Sequence, residues 1–182
     1  MDKAVVLIDG GYIDRIRENK PSIRIDYLKL SEKVCEDCER VRTYYYHCMP
    51  YQSNPPTKPE KKNYQGMQKL LYTLNRLPKF DYRLGKLGRR TCPDCKAVRP
   101  IQKRVDIMMA IEMVALSFGG RINRIKLITG DSDLVPAVEV AKASGTIIEL
   151  YYSKESVHDE LLDEVDYRHE IDEDFINSIL RE

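Results

Sequence analysis

The chain has 182 residues, with 42% hydrophobic and 32% charged residues and a net charge of +1, as expected for one globular domain. No apolar run approaches the ~20 residues that a transmembrane helix needs. The opening segment MDKAVVLIDGG is too short and too soon interrupted for a signal peptide. These features argue against a membrane-spanning protein and predict a cytoplasmic one.

The small net charge conceals an uneven distribution. Residues 155–182 hold eleven acidic side chains and two basic ones, so the preceding part of the chain carries a net charge of +10. A basic body suits a polyanionic partner such as nucleic acid, although a solvated charged surface explains the same composition. We expect a domain over residues 1–154 and an acidic C-terminal extension over 155–182 that packs on or covers it.

The first half of the chain predicts two strands and two helices. The apolar run Ala4–Asp9 is typical of a strand buried on both faces. The segment DYLKLSEKVCEDC has helical character, and the aromatic run Val41–Cys48 predicts a second strand. Residues 49–60 contain four prolines and predict a loop. From Glu60 to Leu77 apolar residues follow one helical stripe, which Pro78 ends.

The second half alternates between strands and helices. The segment KFDYRLGKL is a candidate third strand, and residues 86–104 are predicted to be an irregular basic excursion containing cysteines. A helix at Val105–Phe118, a strand at Ile125–Thr129, a helix at Leu134–Ser144 and a strand in TIIELYY follow. The acidic remainder ends in a helix within FINSIL. This alternation predicts an α/β fold around a mainly parallel sheet.

Four aspartates stand where such a sheet places its functional groups. Asp9 and Asp131 follow the ends of two buried strands, Asp106 lies in the first turn of a helix, and Asp133 directly precedes the next helix. Each also has a purely structural explanation. Asp106 can complement a helix dipole, Asp133 can cap a helix, and Asp131 can make a turn after Gly130.

Considered together, the four carboxylates predict a metal site. Two carboxylates ~4 Å apart repel each other by roughly 4 kcal/mol at an effective dielectric constant of about 20, so a cluster of them needs a cation or shared protons. Oxygen ligands of this kind suit Mg²⁺ or Mn²⁺, which activate water and stabilise the leaving oxygen in phosphodiester hydrolysis. The resulting hypothesis is a divalent-metal nuclease.

Three segments, VVLIDGGY, QKRVDIMMAIEM and LITGDSDLVPAVEVAKASG, occur in this order and resemble an NYN domain of the LabA-like branch of the PIN-like nuclease superfamily. The similarity extends from Val5 to about Tyr152, and GDSDLVP is its most specific part. It implies a three-layer α/β/α sandwich and metal-dependent cleavage of RNA. It also implies a set of catalytic Mg²⁺ or Mn²⁺ ligands, some acting through water: Asp9, Asp106, Asp131 and Asp133.

The same resemblance implies further contacts beside these aspartates. Ser132 would shape the loop, and its hydroxyl or that of Thr129 would contact water or phosphate. Many NYN domains have an asparagine shortly after the first aspartate and glycine, whereas this chain has Gly11 and Tyr12. We therefore predict that this substrate contact is either missing or replaced by Tyr12, whose ring would stack on a base.

The excursion at 86–104 is strongly basic. It holds seven basic residues against one acid and leads directly to Asp106. We predict that it guides single-stranded RNA to the metal site through phosphate contacts, although a solvated loop is the alternative. The side chains assigned to this contact are Arg89, Arg90, Lys103 and Arg104.

The five cysteines include two C-x-x-C pairs, Cys35 with Cys38 and Cys92 with Cys95. In a cytosolic chain such pairs bind metal more often than they form disulfides. Because a structural Zn²⁺ needs four ligands, the two pairs predict one shared zinc site that fixes the basic excursion. His47 with Cys48 is an alternative second pair, and free thiols or a redox pair are further alternatives.

Other classes of function stay open at this point. A non-catalytic RNA-binding or regulatory module could retain the fold, but it has no use for four converging carboxylates. A haloacid-dehalogenase-like phosphatase needs a second aspartate where this chain has Gly11, and a Toprim-type site expects glutamate in place of Asp9. A homodimer is also open, since PIN-like domains often pair.

Overall fold

The computed structural model describes residues 1–18, 23–91 and 98–181, with the backbone alone described at 89–91, 98–100 and 102. Its strands are β1 (Lys3–Asp9), β2 (Glu39–His47), β3 (Phe80–Leu84), β4 (Lys86–Thr91), β5 (Val98–Lys103), β6 (Arg124–Ile128), β7 (Ile147–Tyr152) and β8 (Tyr167–Glu170). Six of them form one sheet in the order β3-β2-β1-β6-β7-β8. Every neighbouring pair in this sheet is parallel.

Helices cover both faces of the sheet. They are α1 (Gly10–Glu18), α2 (Tyr27–Lys33), α3 (Lys58–Leu74), α4 (Val105–Phe118), α5 (Val135–Ala143), α6 (Asp159–Glu164) and α7 (Glu173–Ser178). Buried side chains of α1, α2, α3 and α7 share one core cluster, and those of α4, α5 and α6 share the other. The predicted three-layer α/β/α sandwich is therefore confirmed. No helix in the described ranges is both long enough and apolar enough to span a membrane.

The central strand β1 explains why the opening segment is so apolar. Val5 and Leu7 pack into the cluster beneath α4 and α5, whereas Val6 and Ile8 pack into the cluster beneath α1 and α3. All four side chains are almost completely buried. A strand covered on both faces cannot alternate apolar and polar residues, so it reads as a continuous apolar run.

The basic segment at 86–104 is not irregular, contrary to the sequence-based prediction. Strands β4 and β5 pair antiparallel from Lys86 with Lys103 to Thr91 with Val98, forming a separate two-stranded ribbon. The ribbon begins directly after β3, where the Gly85 N–H donates to the His47 carbonyl of β2. Its base therefore lies at the carboxyl edge of the main sheet, immediately before α4.

The acidic C-terminal region completes the main domain and does not form a separable layer over it. Strand β8 pairs with β7 as the sixth strand of the sheet. Ile176 of α7 is buried in the same cluster as β1 side chains, and Leu180 makes a β-bridge with Ile25. The boundary predicted after residue 154 consequently divides one hydrophobic core. Neither α6 nor β8 was expected from the sequence.

A buried ion-pair network lies on β6 and β7, away from their carboxyl ends. Lys126 is 1% exposed, and its Nζ lies 2.9 Å from Glu149 Oε2 and 2.9 Å from Asp37 Oδ1. Arg124 adds a 2.8 Å contact to Glu149 Oε1. Burial alone would raise the pKa of Glu149, but hydrogen bonds from Lys126 and Arg124 more than offset burial and lower it. The network therefore compensates the buried charges.

Replacing Lys126 with methionine should destabilise the fold by about 3 kcal/mol, because Glu149 stays buried with fewer partners. Urea denaturation at pH 7 measures the change in the free energy of unfolding. The matched control is Lys154→Met, which removes an exposed lysine from a surface ion pair with Glu170. This substitution should lower the free energy of unfolding far less. Equal effects of the two substitutions would contradict a stabilising role for the buried network.

Candidate functional site

The candidate site lies at the carboxyl end of β1, the central strand from which the sheet extends in both directions. Strand β1 has β2 on one side and β6 on the other, and β6 pairs with it through Ile8 and Ile128. The connections that follow β1 and β6 diverge to opposite faces of the sheet, since α1 and α5 belong to different clusters. Crevices at such switch points bind ligands in open α/β sheets. Asp9 ends β1 here, and Thr129 directly follows β6.

Asp9 is the most buried of the four aspartates, with 6% of its surface exposed. Its Oδ1 accepts the Tyr12 N–H at 3.0 Å, which anchors the first turn of α1, and its Oδ2 accepts the Thr129 hydroxyl at 3.1 Å. Burial raises the pKa of Asp9, the hydrogen bonds from Tyr12 and Thr129 and the charge of Arg15 counteract part of that rise, and the charge of Asp131 adds to it. The Asp9 carboxylate is thus fixed in position, but its negative charge is only partly compensated by its neighbours.

The capping role that the sequence suggested for Asp133 belongs to Asp131. Asp131, not Asp133, caps the 3₁₀ turn Ser132–Leu134, because its Oδ1 accepts the Asp133 N–H at 3.0 Å. The Asp131 N–H donates in turn to Thr129 Oγ1 at 3.3 Å. Asp133 has an exposed side chain, and the half-buried Ser132 accepts the Val135 N–H at its carbonyl. The loop shape therefore depends on Asp131 and Thr129.

Gly130 is required by the close approach of two neighbouring segments. A Cβ at this position would lie 2.0 Å from the Ser156 carbonyl oxygen and 2.6 Å from Tyr12 Cε2. Such distances are far shorter than any real carbon contact, so a side chain would push the loop away from α1. This constraint keeps the backbone between Thr129 and Asp131 against the end of β1.

Asp106 comes to the same region from the second residue of α4. The chain turns into this helix at Arg104, which has a left-handed φ of 75° and provides no side-chain cap. The Asp106 side chain is exposed at the surface. Its pKa is raised first by partial desolvation and then by the charges of Asp131, Asp9 and Asp133. The four predicted aspartates therefore share one electrostatic environment.

This donor set fits a hard divalent cation held partly through water. Carboxylate oxygens and the Thr129 hydroxyl are the ligand types that Mg²⁺ and Mn²⁺ prefer, and the mutual repulsion of the carboxylates is what such an ion relieves. The carboxylates do not close around a single point. Among the described residues, no three His, Cys, Asp or Glu side chains are grouped closely enough to hold a metal ion. Mg²⁺ commonly keeps several of its waters, which spans such a gap.

Tyr12 does not face the substrate side, and this corrects the prediction that its ring stacks on a base. Its side chain is fully buried in the core beneath α1, and its hydroxyl accepts the Ser153 N–H at 2.7 Å. The tyrosine thus ties α1 to the segment after β7. The apparent departure from the motif at this position is a packing feature, because the ring fills space that Gly130 leaves free.

The predicted basic contacts are only partly visible. Lys103 and Arg104 are exposed at the base of the ribbon, three and two residues before Asp106, respectively. The side chains of Arg89 and Arg90 lie outside the described residues, although their backbones belong to β4. Two cations of the predicted RNA guide are therefore exposed directly before α4, the helix that carries Asp106.

His47 is a residue at this edge that sequence reasoning considered only as an alternative zinc ligand. It ends β2 beside β1, is 5% exposed, and its Nε2 lies 3.0 Å from Asp14 Oδ2 on α1. Burial by itself lowers the pKa of His47, but contacts with Asp14 and Cys48 and the charge of Asp9 raise it overall. The sequence signal was its position at a strand end, the same signal that identified Asp9.

The cysteine pair at 35 and 38 is poorly suited to a zinc site shared with the ribbon. Both thiols are buried and free, and burial raises the pKa of Cys35 to about 12. The positive charge of Lys126 lies close enough to lower the pKa of both thiols, although burial raises each pKa by more. The pair precedes the amino end of β2, whereas the ribbon starts beyond the carboxyl end of β3. Cys92 and Cys95 lie outside the described residues.

Comparison with known proteins identifies the fold and the family model that fits it. The model described as NYN domain matches residues 3–172. A crystal structure of a Vibrio parahaemolyticus protein of unknown function is similar with a TM-score of 0.64 and 15% sequence identity, over 99% of this chain and 96% of that chain. A search of curated proteins gave no match.

The raised pKa of Asp106 predicts a pH-dependent gain in stability when that carboxyl is neutralised. Because the folded-state pKa lies above the unfolded value, the ionised group disfavours the fold at pH 7, and this penalty disappears as the pH falls through the folded pKa. In EDTA, Asp106→Asn should therefore raise the urea midpoint at pH 7 and not at pH 3.5. Glu139→Gln, on the exposed face of α5, is the control. A pH-independent difference would contradict this origin of the effect.

A second prediction concerns zinc. Since Cys38 lies beside Lys126 and away from the ribbon, Cys38→Ser should leave the zinc content of the purified protein unchanged. Elemental analysis of the variant and of Cys92→Ser, prepared in parallel, makes the comparison. If zinc were lost in both variants, the shared four-cysteine site would be restored as the better description.

Proposed function

The chain belongs to the NYN domain family of the PIN-like nuclease superfamily, and from this premise we propose that it is a metal-dependent ribonuclease acting at the Asp9 edge of the sheet. Within the family we assign it to the LabA-like branch, on the GDSDLVP segment at 130–136. The proposed reaction is hydrolysis of a phosphodiester bond in single-stranded RNA.

The observation that carries this proposal is the uncompensated negative charge of the site. Burial and the charges of neighbouring aspartates raise the pKa values of Asp9 and Asp106, and the positive charge of Arg15 offsets only part of this rise at Asp9. Elsewhere in the described chain, buried acids such as Glu149 have basic partners. A cluster of this kind is destabilising by itself, so its presence supports a cationic cofactor.

The proposed ligands are Asp9, Asp106, Asp131 and Asp133. Asp9 is the most rigid, because two hydrogen bonds fix its carboxylate. Asp131 is fixed by its capping bond, whereas the exposed Asp106 and Asp133 are free to approach through water. A bound Mg²⁺ or Mn²⁺ would supply an acidified water and neutralise charge that develops on the phosphate. The Thr129 hydroxyl positions Asp9 and the Asp131 backbone.

The ribbon formed by β4 and β5 would deliver the RNA strand. Lys86, Lys103 and Arg104 are exposed at its base, and Arg104 is separated from Asp106 by one residue. Phosphates contacted there would enter the site beside α4. Arg89 and Arg90 extend the same charge along the ribbon in the sequence.

A non-catalytic RNA-binding module is the second candidate. It is favoured by one observation, namely that the described carboxylates do not already converge on a single point. The two functions differ in whether bound RNA is cut. A homodimer stays a prediction, for which the exposed Ile107, Ile111 and Phe118 of α4 offer an apolar contact face.

Cleavage of end-labelled single-stranded RNA in Mg²⁺, Mn²⁺ or EDTA tests the proposal. Wild-type protein should cut only with a divalent ion, and Asp131→Asn should lower the rate at least ~10²-fold while an amide still caps the 3₁₀ turn. The matched control is Asp163→Asn, which removes a carboxylate that is 83% exposed on α6. Metal-independent cutting, or equal rates in both variants, would overturn the assignment. Metal-independent binding without any cutting would establish the binding module instead.

A further inference from the structure

The longest helix on the α1 face of the sheet, α3, carries a continuous line of exposed polar side chains. Successive members are spaced by four, three, four, three and four residues, which is the 3.6-residue period of one helical face. The line runs along the helix and ends just beyond its last turn. Its members are Lys58, Lys62, Gln65, Lys69, Tyr72 and Arg76, all exposed.

The orientation of this line is fixed by packing on the opposite side of α3. Met67, Leu71 and Leu74 are buried in the core cluster beneath the helix. Thr57 and Glu60 form a capping box at the first turn, so the helix begins at a defined residue. The polar line is consequently a permanent outer surface and cannot rotate inward without exposing three core side chains.

The cations of this line have no acidic partners within the described residues. Lys58, Lys62, Lys69 and Arg76 form no ion pair there, in contrast to Arg42, Arg83, Arg124 and Lys142, which all do. The one acid of α3, Glu60, is engaged by Ser53 and Thr57. The surface therefore presents positive charge that is not neutralised by the protein itself.

An exposed aromatic ring lies among these cations. Tyr72 is 64% exposed, and the Arg76 guanidinium lies 3.6 Å from its ring centroid. A shallow groove of about 560 Å³ runs beside the ring, lined by Gln65, Gln68, Lys69, Tyr72, Thr73 and Arg181. Cations for phosphates and a flat ring for a base are the two components of surfaces that bind single-stranded nucleic acid.

The line starts on the carboxyl side of the sheet, as the candidate site does, and leads away from that side. Strand β2 ends at the carboxyl edge of the sheet, where His47 lies beside β1, and the following loop brings the chain to Lys58 at the start of α3. The helix then returns across the sheet to β3. With 17 residues it is ~25 Å long, so a strand following it would pass from the opposite edge of the sheet toward Asp9.

We propose that this face of α3 is a binding track for single-stranded nucleic acid, which holds the part of the substrate strand that lies outside the carboxylate cluster. The phosphates contact Lys58, Lys62 and Lys69, and one base stacks on Tyr72, whose ring Arg76 holds in place. This inference rests on the proposed function for the identity of its ligand. It adds a second contact surface, on the opposite face of the sheet from α4.

Fluorescence anisotropy with a labelled single-stranded RNA of about 20 uridines in EDTA tests the track without cleavage. Lys62→Gln combined with Lys69→Gln should weaken binding and reduce the slope of log K against log salt by about 1.4, since each phosphate contact on a single strand contributes about 0.7. The matched control, Lys3→Gln combined with Arg121→Gln, removes the same charge from exposed positions away from α3 and should leave the slope unchanged.

Substitutions of Tyr72 separate stacking from charge. Tyr72→Ala should weaken binding about tenfold, within the range for loss of one stacked base, whereas Tyr72→Phe should retain wild-type affinity. Because Tyr72 is exposed, neither substitution disturbs the core.

The outcomes distinguish failure of the track from failure of the proposed function. If wild-type protein binds and cuts RNA while the α3 double variant and its control show equal slopes, the track is wrong and the nuclease proposal stands. If wild-type protein neither binds nor cuts RNA, the proposed function fails and the track with it. If polyglutamate of equal charge displaces the RNA and Tyr72→Ala has no effect, α3 is a surface for acidic proteins, and the track is overturned.

Discussion

The hydrogen bond from the Thr129 hydroxyl to Asp9 joins the carboxyl ends of the two central strands, and the candidate site is built around it. The same hydroxyl accepts the Asp131 N–H, so one oxygen positions two acidic residues. Thr129 can do this because it directly follows β6, whose register with β1 pairs Ile8 with Ile128. A neutral donor fixes the Asp9 carboxylate without cancelling its charge, which leaves that charge available to a cation.

Charge compensation differs sharply between two parts of one sheet. On β6 and β7, Lys126 and Arg124 are paired with Glu149 in a buried network. At the carboxyl edge, burial and the charges of neighbouring aspartates raise the pKa values of Asp9 and Asp106. The fold can tolerate the second arrangement because the sheet around it is held by two well-packed apolar clusters. Compensated charge thus lies in the body of the sheet, and incompletely compensated charge lies at its edge.

Local sequence patterns predicted the elements that determine the architecture. The structure differs from the sequence-based prediction mainly in strand pairing and in side-chain packing. Neighbouring residues are sufficient to predict the apolar strands β1 and β6 and the helical period of α4. They also predict that Asp9 and Asp131 follow strand ends. The pairing of β8 with β7 was not expected because α6 separates the two strands in the sequence. Strands β4 and β5 are close in sequence, but their basic, cysteine-containing segment has no clear strand pattern. The burial of Tyr12 follows from the absent side chain of Gly130, far along the chain. Sequence spacing alone does not reveal such contacts.

The strand order has a consequence for how the site comes into existence. The sheet grows outward from β1 in both directions, with β2 and β3 on one side and β6, β7 and β8 on the other. Asp9 belongs to the first half of the chain, and Asp106, Asp131 and Asp133 belong to the second. On the ribosome, the first three strands can associate while β1 still has one vacant edge. The four carboxylates come into one region of the molecule only when β6 docks on that edge, so the incomplete chain lacks the full set.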